Sequence, residues 1–296
     1  MLLQQLLNGI VQGGTYALVA LGYTLVFGVL EIINLAHGEL FTAGALIGFF
    51  LVGLGLPLPL AILGAMMGAA LLGAVLELTA LRLVRRKGAG NLAPLISTIG
   101  LGLVLQNLYI LVAGADPRSF RAGIGDSVLQ LGPIRVTTVQ IIVLGVSLLL
   151  MAILQFTLTK TRLGRAVRAV SENPETAALL GVNVNAVIMA TVMLAGALGG
   201  AAGVLVGLSF VSVSPIMGAA YGLKGLSVII LGGLGNVTGA VGGGLLIGIV
   251  EALTVYFGGT FGSIYREAIA FAFLFVILVV RPQGLFGQPY AAGKRS

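Results

Sequence analysis

The sequence predicts an all-α membrane protein that crosses a bilayer with about eight helices, some of them short or broken. Three observations carry that reading. Of the 296 residues, 58% are hydrophobic and only 8% charged, whereas an ordinary soluble domain carries about 25% charged residues; the mean hydropathy is +1.12. Apolar runs long enough to span, about 20 residues at 1.5 Å rise, recur along the whole chain. Glycine occurs 46 times, which would weaken soluble helices by about 1 kcal/mol per site but lets helix backbones approach closely in lipid.

The spanning runs fall at 8–30, 57–80, 92–113, 137–157, 185–207, 237–257 and 262–280. A shorter run, 37–53, follows the polar group Glu31, Asn34, His37 and Glu39. Another, 225–234, ends in Gly232-Gly233-Leu234-Gly235-Asn236. Short, glycine-interrupted segments of this kind mark broken helices, whose ends can face a transport path. Residues 1–296 are expected to form a single membrane domain. The start of the chain, Met1 to Leu7, lacks the charged beginning and small-residue cleavage site of a signal peptide, so the first span is expected to be retained. No repeat of 20–50 residues is visible, and no inverted repeat can be established by inspection.

The net charge of +7 sits in short loops between apolar runs, which speaks against nucleic acid and for membrane topology. Arg82, Arg85, Arg86 and Lys87 form one basic group; Lys160, Arg162, Arg165 and Arg168 a second; Arg281, Lys294 and Arg295 a third. All three are expected to face the cytoplasm, and with them the C-terminus. The 114–136 loop mixes Asp116, Arg118, Arg121, Asp126 and Arg135 and is expected outside, as is the N-terminus. Region 208–262 must then start and end outside, which pairing 225–234 with 237–257 satisfies, as a re-entrant hairpin or as two short crossings. With no Cys in the chain, disulfides, thiolate metal sites and cysteine nucleophiles are excluded.

Between the second basic group and the span near Asn185, local rules predict a two-turn helix over 174–180. Asn173 suits the N-cap and Pro174 the first helical position. Glu175 complements the helix dipole, and Gly181 can take the left-handed conformation that ends the helix. So short a helix is marginal in water and must pack on something. It is either a connector on the membrane surface or a docking element whose Ala177-Ala178-Leu179-Leu180 face enters a groove in a partner.

The spacing Glu175-x-Ala177-x-x-x-Gly181 resembles the coupling-loop motif of ABC importer permeases, Glu-Ala-Ala-x-x-x-Gly. Thr176 replaces the first Ala, and the downstream Ile-x-Leu-Pro of the best-known subtype is absent. Asn8-Gly-Ile-Val-Gln-Gly-Gly-Thr-Tyr-Ala17, Ile33-Asn-Leu-Ala-His-Gly-Glu39, Leu163-Gly-Arg-Ala-Val-Arg168, Leu231-Gly-Gly-Leu-Gly-Asn236 and Arg281-Pro-Gln-Gly-Leu-Phe-Gly287 follow in that order. Together they resemble the LivH-type permease of branched-chain amino acid ABC importers, over about residues 5 to 287. The resemblance implies a bacterial-type inner-membrane permease moving leucine, isoleucine, valine or related amino acids. It implies a heterodimer with a second homologous permease, two cytoplasmic ATPase subunits and an extracytoplasmic binding protein, besides the lipid itself. Relatives carrying urea or short amides on the same scaffold keep that substrate class open. The coupling loop would span about 159–184, with Arg165, Asn173, Glu175, Ala177, Ala178 and Gly181 in the coupling helix. None of the four lysines completes a Gly-x-x-x-x-Gly-Lys-Ser/Thr run, so ATP hydrolysis is expected in partners and no cofactor here.

Polar residues within apolar spans are the candidates for a translocation path. Asn8, Gln12 and Thr15 follow i, i+4, i+7 spacing on the first span, with Tyr16 adjacent. Asn34, His37 and Glu39 either anchor a broken helix by hydrogen bonds or lie near the path; a lone His with one Glu makes no metal site. Gln106 and Asn107 offer amides to a neutral or zwitterionic solute, or to neighbouring helices. Glu251 has no neighbouring cation in sequence and is either a buried, protonated or paired acid or a path residue. Glu77 is expected to meet headgroups or Arg82. Lys224 is expected to snorkel or to serve an interface. A stand-alone secondary transporter would need an ion relay, and the sequence offers only isolated acids; a membrane enzyme would need a catalytic constellation, and none is evident.

Overall fold

A computed structural model describes residues 2–88, 90, 92–123, 127–131 and 134–287. Asp126, Lys294 and Arg295, named above in the charge pattern, lie outside the described residues. The chain is a helical membrane protein. Its elements run α1 (Leu2–Leu30), α2 (His37–Gly53), α3 (Leu58–Leu76), a π-helical turn (Glu77–Leu81), α4 (Arg82–Arg86), α5 (Leu92–Ala113), β1 (Arg118–Ser119), β2 (Val128–Leu131), β3 (Ile134–Thr137), α6 (Thr138–Lys160), α7 (Arg162–Glu172), α8 (Pro174–Leu179), α9 (Val184–Phe210), β4 (Ser212–Val213), α10 (Met217–Gly232) and α11 (Val237–Val280).

Among the described residues six helices, counting Leu58–Arg86 as one, are long and apolar enough to cross a membrane; α2 and α10 are shorter. Lipid offers no hydrogen bonds, so every spanning segment must close its backbone bonds internally, which helices do. The long α11 is two legs, not one rod. Gly259 inside it has non-helical angles, φ 53 and ψ −128. Glu251 and Glu267, on either side of it, would be about 24 Å apart along a straight helix, yet both carboxylates reach the Lys224 ammonium. The chain therefore folds back at Gly259, between the two spans the hydropathy predicts.

The first two basic groups lie at one end of the molecule. The Arg82–Lys87 group ends the α3–α4 span, and Lys160 to Arg168 stand where α6 passes into α7. The described C-terminal residues lie there too, with Leu285 N donating to Leu231 O and Asn236 Nδ2 to Phe286 O. At the far end, Gln4 Nε2 donates to Arg135 O and Phe120 N to Val211 O. So the N-terminal end of α1 shares a side with the 114–136 segment, opposite the basic groups. That segment is not all coil: β2 pairs with β3 and β1 with β4, both antiparallel. These two small ladders are the departure from an all-α chain; polar stretches beyond the apolar spans close their backbone bonds strand to strand.

The structure supplies the internal repeat that hydropathy could not show. Among the described residues, Glu31 (φ 53) and Val211 (φ 52) are the two non-glycine residues with positive φ, and each ends a long helix, α1 and α9. For a β-branched residue such as Val211 this conformation is strained. Six residues later, His37 and Met217 begin α2 and α10. Gly55 (φ 83) and Gly235 (φ 79) then turn the chain into α3 and α11, inside the matching triplets Gly53-Leu54-Gly55 and Gly233-Leu234-Gly235. Every second member lies 180 residues after its first. α1 ends at the basic side and α9 at the far side, so the two units are inverted, as in many transporters.

Equivalent residues meet on the axis between the units. A Cβ at Gly38 would collide with the carbonyl of Gly218, and one at Gly218 with the carbonyl of Gly38. The Phe41 and Tyr221 rings stack 4.9 Å apart at 24°. The helix pairings repeat likewise: α1 packs on α11 as α9 packs on α3. Glycine makes these approaches possible. A Cβ on Gly44 would overlap the Cα and carbonyl of Gly200, whereas Gly100 has nothing within 4 Å. Gly44→Ala is expected to cost about 1–3 kcal/mol, the usual toll of overpacking, and Gly100→Ala almost nothing, as read by thermal unfolding in detergent.

Candidate functional site

Tyr16 is the central residue of α1, and the polar centre of the protein is built around it. Tyr16 is buried and its hydroxyl donates to Glu251 Oε2 (2.8 Å) while accepting from Gln12 Nε2 (2.7 Å) and Lys224 Nζ (3.2 Å). Lys224 Nζ also lies 3.1 Å from Glu251 Oε1 and 2.9 Å from Glu267 Oε1. The Tyr16 and Tyr221 rings flank this ammonium, with centroids at 5.1 and 5.8 Å. A buried cation thus meets two carboxylates, a hydroxyl and two aromatic faces, compensation that a charge at this depth requires. Arg266, beside Glu267, stacks over Phe210 at 6.0 Å.

This network corrects two expectations. Lys224 does not snorkel: it is buried within α10. The acids are not isolated, since Glu251 and Glu267 share one ammonium. Glu251 is the paired acid among the alternatives the sequence left open. Glu77 is likewise buried rather than at headgroups, and its partner is Arg85 at 2.7 Å, not Arg82. The π-helical turn at Glu77–Leu81 widens the helix there, and the contact joins residues eight apart, about two turns.

The broken start of α2 carries a second cluster. His37 is fully buried, edge-on to Tyr23 with ring centroids 4.6 Å apart, in space left by Gly22 and Gly199. Asn34 Oδ1 accepts from Ala36 N (3.1 Å), and Tyr109 Oη donates to the backbone carbonyl of Glu39 (3.0 Å). Glu39 and Gln106 line one pocket between α2, α5 and α10. Asn107 turns away from it and donates to Leu103 O of its own helix (2.7 Å). The adjacent amides are therefore split, one toward the pocket and one spent on its own backbone. Among the described residues no group of His, Asp and Glu could hold a metal ion.

The polar face of α1 opens at the far end. Asn8, Gln12 and Thr15 line a cavity of about 490 Å³ with Gln140, Ser209 and Phe210. Asn8 Oδ1 accepts from Gln140 Nε2 (2.8 Å), tying α1 to α6, and Thr15 Oγ1 donates to Gln12 O. Tyr16, one residue on, faces the ion pairs instead.

At the basic end the local signals are met. Asn173 Oδ1 accepts from Thr176 N (2.8 Å), Pro174 opens α8, and Gly181 adopts φ 85. Ala177 is buried, while Glu175, Ala178 and Arg165 are exposed. Leu179 and Leu180 are 88% and 79% exposed. The segment before them, a basic loop by sequence, is the helix α7. It is capped by Thr161, whose hydroxyl accepts from Gly164 N, and buries Gly164, Val167 and Val170. Arg168 Nη1 donates to Leu158 O, fixing α7 to the end of α6.

Residues 5–280 match the family described as branched-chain amino acid transport system / permease component. The chain belongs to this family. It is 36% identical to the high-affinity branched-chain amino acid transport system permease protein BraD of Pseudomonas aeruginosa, over 97% of this chain and 96% of that one. It is 35% identical to the corresponding LivH protein of Escherichia coli, with the same coverage. No solved structure matches it.

Sequence reasoning missed Lys224, Glu267 and Tyr221 as partners of this permease's central site. Lys224 stands 27 positions before Glu251, so no local spacing joins them. The one available signal was the equal distance of Glu251 and Glu267 from Gly259. Lys224→Met strands Glu251 as a buried unpaired charge and is expected to destabilise by about 3–5 kcal/mol. Adding Glu251→Gln to it should recover most of the loss, measured by thermal unfolding.

Proposed function

We propose that this chain is the pore-forming permease subunit of an ABC importer that carries leucine, isoleucine and valine into the cytoplasm. The observation that carries the reading is the match to branched-chain amino acid permeases over nearly the full length of both chains. In this reading the chain pairs with a second homologous permease, receives substrate from an extracytoplasmic binding protein, and is driven by two ATPase subunits. The positive-inside rule makes the basic end cytoplasmic, with the described C-terminal residues on that side and the N-terminal end of α1 outside, in a multi-pass inner-membrane protein.

Two features support the mechanism. The inverted repeats, each with a helix broken near mid-membrane, supply two packings that can rock against each other to alternate access. At the cytoplasmic end, α8 offers Leu179 and Leu180 to solvent on a helix pair held to α6 and α9. Exposed leucines on a braced helix suit a groove in a partner, and a push on them passes through α7 to two spans. Arg165, Asn173, Glu175, Ala177, Ala178 and Gly181 form this coupling element. The far-end cavity with Asn8, Gln12 and Thr15, the Tyr16–Glu251 network, and the Asn34–His37–Glu39 cluster with Gln106 mark the path from outside inward. Asn107, bonded to its own helix, stands beside it.

The paired substitution Leu179→Asp, Leu180→Asp leaves the buried face of α7 and α8 untouched. Uptake by the assembled importer is expected to drop by about tenfold or more, the scale of losing apolar anchors at an interface. Membrane insertion should stay normal and ATPase subunits should co-purify poorly. Full uptake with full co-purification would remove the coupling role.

A further inference from the structure

Three glutamates are buried among the described residues: Glu39, Glu77 and Glu251. Glu77 is paired with Arg85 and Glu251 with Lys224. Glu39 has no cation within ion-pair distance among the described residues, and its Oε2 is buried without a hydrogen-bond partner. An uncompensated carboxylate at membrane depth is costly and calls for a positive partner from elsewhere.

Glu39 lines a pocket of about 260 Å³ beside the axis of the inverted repeats. Its depth follows from its neighbours. His37, two residues away, packs on Gly22 of α1, about 12 Å in from that helix's basic end at 1.5 Å per residue. Across the pocket lie Gly218 and Ala219 in the first turn of α10, a 16-residue helix that begins without a side-chain cap. Its leading amides and helix dipole favour an anion. The other walls include Leu35, Ile99, Leu103 and Leu223, and the last two, largely exposed, form the mouth on the flank.

We infer that this pocket is a transient binding site for a zwitterionic amino acid. The Glu39 carboxylate receives the α-ammonium, the N-terminus of α10 receives the α-carboxylate, and the leucine and isoleucine side chains hold a branched aliphatic side chain. The inference rests on the reading of the chain as a branched-chain amino acid permease and adds to it the residues that meet substrate within the membrane. The repeat has been split in chemistry to do this. Ala219 occupies the position equivalent to Glu39, so one broken helix brings the negative group and the other a bare N-terminus. In the Lys224 network, by contrast, both carboxylates already hold an ammonium.

The test uses the fact that the chain has no cysteine. Leu223→Cys, in the complete importer with both permeases and the ATPases, is labelled with a hydrophilic maleimide and the label is read on this chain after separating the subunits. Saturating leucine is expected to slow labelling by about fivefold or more, as ligand occupancy protects a site. Neither 4-methylpentanoate, which lacks the ammonium, nor 3-methylbutylamine, which lacks the carboxylate, should protect. Adding Glu39→Gln should abolish protection by leucine. No labelling at all, no protection by leucine in a complex that transports it, equal protection by either analogue, or full protection with Glu39→Gln overturns the site. A complex that moves no leucine under ATP overturns the functional reading beneath it instead.

Discussion

The structure depends on one contact, the crossing of two broken helices at Gly38 and Gly218. A helix that begins inside a membrane exposes amides that lipid cannot satisfy. Each beginning meets part of that need on its own lead-in turn, His37 N donating to Asn34 O and Met217 N to Ser214 O, and the two backbones approach closely because neither residue at the crossing has a Cβ. The stacked Phe41 and Tyr221 rings seal the crossing on one side. From it follow the paired positive-φ turns at Glu31 and Val211, the glycine-lined contacts of α2 with α9, and the enclosure of polar groups near mid-membrane.

Symmetry explains the scaffold, and departures from symmetry explain the chemistry. The counterpart of Lys224 is Gly44, which packs flush on Gly200. One unit therefore buries a cation where the other buries only backbone. That cation binds both legs of the α11 hairpin to α10 through Glu251 and Glu267. Glu267, 52% exposed at its side chain, is the open edge of this clasp. A carboxylate open at such depth is stable toward water or a partner protein rather than lipid.

Much of this was legible in the sequence, for physical reasons that differ by element. Spans are written in hydropathy, and 37–53 and 92–113 matched their helices, the second because its apolar run stops at Ala113, before Gly114 and Asp116. The α8 helix was legible because capping is local: Asn173, Pro174 and Gly181 each act within one turn. The spacing of Asn8, Gln12 and Thr15 puts them on one face of α1, and the structure places that face against a cavity. What stayed hidden was long-range or disguised by charge. The helix α7 reads as a basic loop because its buried face is only Gly164, Val167 and Val170, too narrow to stand out among arginines. α10 begins at Met217, eight residues before its hydropathy does, because Tyr221 and Lys224 interrupt the run. The fold-back at Gly259 was legible as the gap between two apolar spans, but which residues its legs bring onto Lys224 depends on packing that no local spacing records. The inverted repeat survives in backbone angles far better than in side chains.

A chain whose buried ammonium is held by its own glutamates, with exposed leucines at the basic end, fits a part that something else moves. The most direct measurement of that claim is uptake of radiolabelled leucine into proteoliposomes. One set holds this chain with a second permease, the ATPases and the binding protein; the other holds this chain alone under an ion gradient. The account predicts uptake only in the complete set, and only with ATP. Leucine accumulation by the chain alone, driven by the gradient, would contradict it.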